Sequence, residues 1–243
     1  MRYLMTFSYD GTNYYGYQKQ LNKVTIQGEI EGVLYKVCGN KKVSIHSSGR
    51  TDAHVHAINQ KAHFDIEKDI NIEKFKHSLN SLLSDSIYVK SIEKVDDDFH
   101  SRYSIKEKSY IYKINMGEYN PFERNYVYQY NKPLNIELIE EAIKYLIGTH
   151  NFKSFTKSSS LKDDYVRTIY SICIENKDNI LTITFTGSGF LKYMIRNIVG
   201  TLIDVGSGKI NPVDIKNILD MQNRECASFT ASPNGLYLLD VKY

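Results

Sequence analysis

The segment Leu181-Thr182-Ile183-Thr184-Phe185-Thr186 gives the clearest structural signal in this chain of 243 residues. Apolar and polar side chains alternate at every position, which is the period of a strand that buries one face. The stretch from Leu191 to Val205 follows it and carries apolar residues at helical spacing. A half-buried strand is therefore predicted next to a strongly apolar helix.

The same order of strands and helices is predicted twice along the chain. In the first half, we predict strands over residues 3–8, 43–47, 62–64 and 87–95, and helices over residues 26–37 and 75–82. In the second half, we predict strands over residues 110–115, 181–186 and 236–241, and helices over residues 133–147, 191–205 and 212–220. Each half has the approximate order β-α-β-β-α-β, which predicts an α+β fold with ferredoxin-like or RRM-like halves and antiparallel sheets.

Three residues mark helix ends. Thr25 is predicted to cap the first helix, with Gly39 just past its end, and Gly148 to stop the helix over residues 133–147. We expect one half over residues 1–105 and the other over residues 106–243. No flexible linker separates them, so we expect them to pack into one continuous unit.

Composition narrows the class of protein. Hydrophobic residues make up 42% and charged residues 24%, and the net charge of +3 permits a nucleic-acid partner without requiring one. The three cysteines, Cys38, Cys173 and Cys226, form no CxxC pair, so neither a zinc ribbon nor a disulfide framework is indicated and a reducing cytoplasm is expected. We expect no signal peptide and no membrane span, since no apolar run approaches the roughly 20 residues that a span needs.

The segment Gly49-Arg50-Thr51-Asp52-Ala53-His54-Val55 is the first candidate for chemistry. It follows a predicted strand and holds an arginine and an aspartate two positions apart. A carboxylate that is kept charged by a cation and aimed by a fixed loop is typical of an active site. The alternative is a surface turn with an exposed ion pair.

Tyr110 is the second candidate, because it lies in the alternating segment Lys108-Ser109-Tyr110-Ile111-Tyr112. Its phenol ring could stack on a nucleobase, and its hydroxyl could serve proton transfer. The alternative is that both tyrosines lie on the core face of a strand.

Arg196 is the third candidate, in the middle of the apolar segment Met194–Gly200. A buried guanidinium there needs an anion. The alternative is that Arg196 lies on a polar helix edge and extends to water.

A metal-dependent hydrolase using Asp52, His54 and His56 is a further alternative. The sequence shows no obvious third or fourth distant ligand, so we expect no metal.

A set of motifs, in order and at matching spacing, resembles the bacterial tRNA pseudouridine synthase A family. These motifs are Tyr9–Thr12, Gly16–Gln18, Thr25–Glu29, Gly49–Ala53, Phe99–Arg102, Tyr110–Tyr112, Met194–Gly200 and Gly235–Leu238. They span nearly the whole chain.

The resemblance implies a role for each candidate. Asp52 would be the catalytic aspartate, as a nucleophile, and Arg196 its ion-pair partner. Tyr110 would contact the target base. Arg50 would help to hold the extruded nucleotide, and Arg102 would lie in the active-site wall or contact phosphate.

The resemblance also implies the reaction and the partners. The reaction would isomerise uridine to pseudouridine at positions 38, 39 and 40 in the anticodon stem-loop of tRNA, with no cofactor and no metal. Family members are homodimers, so a homodimer is expected. An alternative from another class is a non-catalytic RNA-binding module of RRM-like fold, which explains strand tyrosines but gives no reason for Asp52 or Arg196.

Two residues depart from the family pattern. His54 stands where the family usually has glycine, and Tyr17 where it usually has tryptophan. A glycine at position 54 permits backbone geometry or a close approach of RNA that His54 would alter, and neither departure touches the aspartate.

Overall fold

The computed structural model describes residues 1–157 and 164–243. Residues 1–106 together with residues 237–243 form one compact unit, and residues 107–236 form a second.

The secondary structure of the described residues comprises ten strands and five α-helices. The first part of the chain forms β1 (Arg2–Tyr9), α1 (Ile26–Val37), β2 (Ile45–Ser47), β3 (His56–Asp65), α2 (Ile72–Leu82) and β4 (Ile87–Val95). The remainder forms β5 (Glu107–Asn115), β6 (Tyr128–Gln129), α3 (Ile136–Ile143), β7 (Gly148–Asn151), β8 (Val166–Lys177), β9 (Ile180–Gly187), α4 (Met194–Gly206), α5 (Asp214–Met221) and β10 (Leu236–Lys242). Short 3-10 helices occur at Lys153–Phe155, Arg224–Cys226 and Pro233–Gly235. None of the helices in these ranges is long and apolar enough to span a bilayer.

The first unit has the predicted order β-α-β-β-α-β. Its strands are arranged β4-β1-β3-β10, with β2 also paired to β3. The pairs of β1 with β3, β1 with β4 and β2 with β3 are antiparallel. Strand β10 lies parallel to β3, with Tyr237 opposite His56, so the closing residues of the chain belong to this unit. The α+β class is confirmed.

The core of the first unit lies between this sheet and the inner faces of α1 and α2. Large side chains from both layers are fully buried there: Tyr3, Met5, Phe7, Phe64, Ile30, Leu34 and Leu79. Burial of this kind is the main stabilising term in folding.

The ends of α1 are those that the sequence predicts. The Thr25 hydroxyl accepts a hydrogen bond from the backbone N–H of Gly28 at 3.3 Å, which caps the helix. Gly39 follows the helix with φ of 65°, the left-handed conformation that favours glycine after a helix.

The second unit is built on antiparallel strands in the order β5-β9-β8-β7, with β6 parallel to β5. Tyr110 of β5 lies opposite Phe185 of β9, and Tyr112 opposite Ile183. The alternation of residues 181–186 therefore forms a strand as predicted.

Several features of the second unit differ from the predictions, among them the short strands β6 and β7, which were not predicted. The helix predicted over residues 133–147 is shorter, since Asn135 caps α3 by accepting from Leu138 N at 3.0 Å and the helix ends at Ile143. Gly148 does not stop this helix but opens β7. Strand β8 was not predicted, because a register shift between Ile169 and Ser171 breaks the period of two that identifies a strand.

Helix α4 begins at Met194, three residues later than predicted, and nearly all its residues are buried. Gly200 lies against the chain at Phe229, where an added Cβ would stand 1.8 Å from the Phe229 carbonyl oxygen. Gly32 of α1 is also inside a helix, but a Cβ there would meet nothing within 4 Å. These two glycines provide a matched test of the packing.

We expect Gly200→Ala to lower the free energy of unfolding by roughly 2 kcal/mol or more, because the backbone at Phe229 must move. Gly32→Ala should raise it by about 0.5–1 kcal/mol, because alanine costs less chain entropy in a helix. Urea unfolding of both variants measures the two effects. Equal stability of the two variants would contradict the packing of α4.

Candidate functional site

The loop over residues 49–55 is fixed on one side by buried polar groups. Ser48 and Gln60 are fully buried, and the Ser48 hydroxyl donates to Gln60 Oε1 at 2.6 Å. Gln60 Nε2 in turn donates to the Gly49 carbonyl oxygen at 3.1 Å. Because an unmade buried hydrogen bond is costly, these groups fix where the loop leaves Ser48.

The segment over residues 9–17 holds the loop at a second point. The Tyr9 hydroxyl and Thr51 Oγ1 share a hydrogen bond of 2.8 Å, and Tyr17 N donates to the Thr51 carbonyl oxygen at 3.1 Å. Burial raises the pKa of Tyr9 to about 12, so its hydroxyl stays neutral. Thr51, next to Asp52, is therefore held through both its side chain and its backbone.

Two glycines make this approach possible. Gly16 has φ of 95°, and a Cβ there would lie 3.1 Å from the Thr51 carbonyl oxygen and 3.2 Å from Ala53 N. A Cβ on Gly11 would lie 2.1 Å from the Val55 carbonyl oxygen. Only glycine permits the two segments to lie this close.

His54 adopts the backbone conformation that a glycine would favour. Its φ is 65°. Its backbone N–H donates to the Tyr14 carbonyl oxygen at 3.3 Å, and its Nδ1 lies 2.7 Å from the Thr12 carbonyl oxygen. The side chain thus helps to hold a left-handed conformation that costs a non-glycine residue on the order of 1 kcal/mol. Although position 54 holds histidine where the family usually has glycine, the backbone of this turn keeps the conformation that glycine favours.

Asp52 lies half-buried at the centre of this loop, and its carbonyl oxygen accepts from Val55 N at 3.3 Å. Arg50 is exposed on the same loop. Arg102 is also exposed but lies after β4, where its backbone N–H donates to His100 Nδ1 at 3.1 Å. A short, fixed loop with a half-buried carboxylate suits a catalytic aspartate.

His56 has a structural role beside this loop. It is buried, its Nδ1 accepts from Gly11 N at 3.1 Å, and the same atom lies 3.2 Å from Asp10 Oδ1. Its ring stacks on Tyr237 at 4.6 Å between centroids.

Within residues 1–157 and 164–243, one group of three potential metal ligands comes together, and it differs from Asp52, His54 and His56, the set that the alternative of a metal-dependent hydrolase would use. It consists of His46, His63 and His100, whose ligand atoms lie within 4.8 Å of one another. Backbone N–H groups donate to Nδ1 of both His63 and His100, at 3.1 Å each, which places the proton of a neutral ring on Nε2. A metal-binding imidazole normally donates its second nitrogen instead. The rings of His63 and His100 therefore suit packing in the neutral form better than metal binding.

Tyr110 lies on β5 in the second unit and is half-buried. Its ring meets that of Phe190 edge to face, with 5.3 Å between centroids. This arrangement orients a phenol without burying it completely, as a base-stacking ring requires.

Arg196 is held by the chain at Ala231. Its Nε donates to the Ala231 carbonyl oxygen at 2.7 Å, and Ala231 N donates back to the Arg196 carbonyl oxygen at 3.0 Å. The guanidinium carbon also lies 5.1 Å from the ring centroid of Tyr193. Arg196 is half-buried, and its guanidinium is fixed in direction. It therefore matches neither the fully buried arginine nor the arginine extending freely to water that the sequence left open.

Asn197, next to Arg196, is a buried polar residue that joins several segments of the chain, and local sequence patterns do not identify it. It is fully buried, its Nδ2 donates to the Phe155 carbonyl oxygen at 2.8 Å, and its Oδ1 accepts from Thr230 Oγ1 at 2.6 Å. Arg224 Nη2 donates to the same Oδ1 at 3.1 Å. The network ties the start of α4 to chain segments on both sides of it. The one sequence signal for this network is the amide side chain at position 197 within the largely apolar segment Met194–Gly200.

Comparisons with known proteins agree with the motifs. A family model described as tRNA pseudouridine synthase matches residues 5–104 and 142–243, which include Asp52 and Arg196 but not Tyr110. The chain is 44% identical over 239 residues to tRNA pseudouridine synthase A 1 of Bacillus cereus, covering 98% of this chain and 97% of that protein. It is 44% identical over 238 residues to tRNA pseudouridine synthase A of Anoxybacillus flavithermus, covering 98% and 97%. It is 44% identical over 245 residues to the protein of that name from Streptococcus agalactiae serotype III, covering 100% and 95%.

The histidine cluster predicts a loss of stability in acid. Burial, with the nearby Arg2 guanidinium and the neighbouring imidazoles, lowers the pKa of His63 to about 4. The unfolded chain, in which this pKa is about 6.5, binds more protons between those two values. The free energy of unfolding should therefore fall as pH drops below about 6.5, by roughly 1–3 kcal/mol by pH 4.

Urea unfolding between pH 7 and pH 4.5 tests this expectation. His63→Gln should remove part of the pH dependence, while His77→Gln, at an exposed position on α2, should leave it as in the wild type. The same slope in all three proteins would contradict the role of His63.

Proposed function

Because the chain belongs to the tRNA pseudouridine synthase family, we propose that it converts uridine to pseudouridine at positions 38, 39 and 40 in the anticodon stem-loop of tRNA. The reaction breaks the N1–C1′ bond, turns the uracil and joins C5 to C1′. The proton on C5 is lost and N1 gains one. Substrate and product are isomers, so the net reaction consumes no oxidant, reductant or second substrate.

Asp52 is the catalytic carboxylate in this proposal. The observation that carries it is the loop over residues 49–55, which is held at Gly49 by Gln60 and at Thr51 by Tyr9, and which presents a half-buried aspartate immediately after Thr51. Catalytic groups must be held in place to within a fraction of an ångström, and a loop fixed in this way supplies that rigidity.

Arg196 is proposed to supply the positive charge that keeps Asp52 ionised. The support within its own unit is the fixed direction of the guanidinium, set by the Ala231 carbonyl oxygen and the Tyr193 ring. A nearby cation lowers the pKa of a carboxylate and adds a charge-assisted hydrogen bond.

Tyr110 is proposed to stack on the target uracil, and its hydroxyl to accept the C5 proton after the new bond forms. A uridine in a stem must first leave the helix to reach such a ring. Arg50 and Arg102 are exposed cations suited to phosphate contacts during this step. We further propose that the protein acts in the cytoplasm as a homodimer.

We expect Asp52→Asn to abolish pseudouridine formation while tRNA affinity stays within a few-fold of wild type, because the substitution removes charge but little volume. Carbodiimide-dependent primer-extension stops on unmodified tRNA transcripts measure the product at each uridine. Asp85→Asn, on an exposed turn of the same unit, is the matched control and should retain activity. Product formation by the Asp52→Asn protein would refute the assignment, and no product from wild type would favour a non-catalytic RNA-binding module.

We expect Tyr110→Phe to preserve binding but slow turnover by about 10²-fold or more, because the ring remains and the proton acceptor is lost. Tyr110→Ala should in addition weaken binding, because stacking is lost. Single-turnover rates at saturating enzyme, compared with filter-binding affinities, separate the two effects. An unchanged rate for Tyr110→Phe would assign the proton transfer to another group.

A further inference from the structure

Residues 18–24, here called the tip loop, project into solvent next to the candidate catalytic loop. Leu21 has 90% of its surface exposed and Val24 has 60%. A leucine exposed to this extent gains free energy from any partner that covers it. The tip loop is therefore a candidate contact surface.

The tip loop is anchored at its base. Tyr15 N donates to the Val24 carbonyl oxygen at 3.0 Å, and Gln20 Nε2 donates to the Tyr15 carbonyl oxygen at 2.8 Å. Asn22 has φ of 56°, which makes a tight turn immediately after Leu21. These contacts present Leu21 at the end of a short, closed loop.

The base of the tip loop also contacts the loop that carries Asp52. Tyr17 N donates to the Thr51 carbonyl oxygen at 3.1 Å. Four residues of extended chain span at most about 14 Å, so the backbone of Leu21 lies within that distance of Tyr17. Because stacked base pairs are about 3.4 Å apart, this distance corresponds to about four steps of an RNA stem, counted from Tyr17 beside the loop that carries Asp52.

The residues around Leu21 indicate the kind of partner. Lys19 and Lys23 flank it, and Lys23 Nζ lies 4.1 Å from the ring centroid of Tyr15. Lys19 Nζ is 3.4 Å from Glu31 Oε2. An apolar tip between two cations is complementary to RNA, where bases lie between phosphates.

We propose that Leu21 enters the RNA stem at the position that the target uridine leaves. This inference rests on the proposed function, since only an enzyme that extrudes a uridine creates the gap. Extrusion removes the stacking contacts of the neighbouring bases, and an inserted apolar side chain replaces part of them. Leu21 is thus a positioning residue that holds the extruded state, while the chemistry belongs to other groups.

The test uses an anticodon-arm hairpin RNA with 2-aminopurine beside the target uridine, because 2-aminopurine fluorescence rises when its stacking is lost. Four full-length proteins are compared: wild type, Leu21→Ser, Leu21→Met and Leu82→Ser. Leu82 lies at the end of α2 with 50% of its surface exposed, and it is the matched control for the substitution. Fluorescence change, hairpin affinity and single-turnover rate are measured for each.

We expect Leu21→Ser to lose most of the fluorescence rise and to slow pseudouridine formation about tenfold, the loss that corresponds to one buried leucine. Its affinity for the hairpin should stay within about threefold of wild type, because phosphate contacts dominate affinity. Leu21→Met should restore both signals, since methionine is apolar and of similar volume. Leu82→Ser should behave as wild type.

Three results would overturn the proposal. In the first, Leu21→Ser gives the wild-type fluorescence rise and rate. In the second, Leu82→Ser lowers both signals equally. In the third, sedimentation shows that Leu21→Ser changes the oligomeric state, which would assign Leu21 to a protein contact.

The outcomes also separate this proposal from the proposed function. Pseudouridine formed equally by wild type and Leu21→Ser would retain the function and reject the role of Leu21. A fluorescence rise that depends on Leu21, with no pseudouridine from wild type, would retain the insertion and reject the chemistry. If the wild type gives no fluorescence rise and forms no pseudouridine, both the insertion of Leu21 and the proposed function are rejected.

Discussion

The close approach of residues 9–17 to the loop over residues 49–55 is the constraint on which the candidate site depends. Gly11 and Gly16 allow two backbones to meet where a Cβ on Gly11 would collide with the Val55 carbonyl oxygen and one on Gly16 would crowd that of Thr51. Thr51 is held through this approach, and Gly49 is held by a separate hydrogen bond from Gln60. The chain around Asp52 therefore has little freedom to move, although the aspartate itself is only half-buried.

The second unit fixes its candidate cation by similar means. Arg196 exchanges hydrogen bonds with Ala231 through both backbone and side chain, and Gly200 allows the same segment to lie against α4 at Phe229. Asn197 binds Phe155, from the chain before α4, and Thr230, from the chain after it. In both units, glycine and buried polar groups place a charged side chain, while the apolar core supplies the overall stability.

Local patterns in the sequence account for much of the fold. The caps of α1 and the strand over residues 181–186 depend on neighbouring residues, and both could be predicted. Strand β8 could not, because its register shift removes the alternation, and the pairing of β10 with β3 depends on residues distant in the chain. Local sequence made Asp52, Arg196 and Tyr110 candidates, and the resemblance gave each a role. The interactions that hold their surroundings involve Gln60, Ala231 and Phe190, which no local pattern connects to them. His54 also shows this limit, because its left-handed backbone is visible only in the structure.

The most direct test of this account compares Gly16→Ala with Gly39→Ala. Both glycines have positive φ, but a Cβ on Gly16 would press against the loop at Thr51, whereas one on Gly39 would meet nothing within 4 Å. The single-turnover rate of pseudouridine formation, with tRNA affinity measured alongside, is the decisive quantity. We predict that Gly16→Ala slows the reaction by about tenfold at nearly unchanged affinity, because the loop at Thr51 must yield by a few tenths of an ångström and a misplacement of about 1 Å costs about 10²-fold, while Gly39→Ala reacts at the wild-type rate. A wild-type rate for folded Gly16→Ala would contradict the claim that this approach positions the carboxylate.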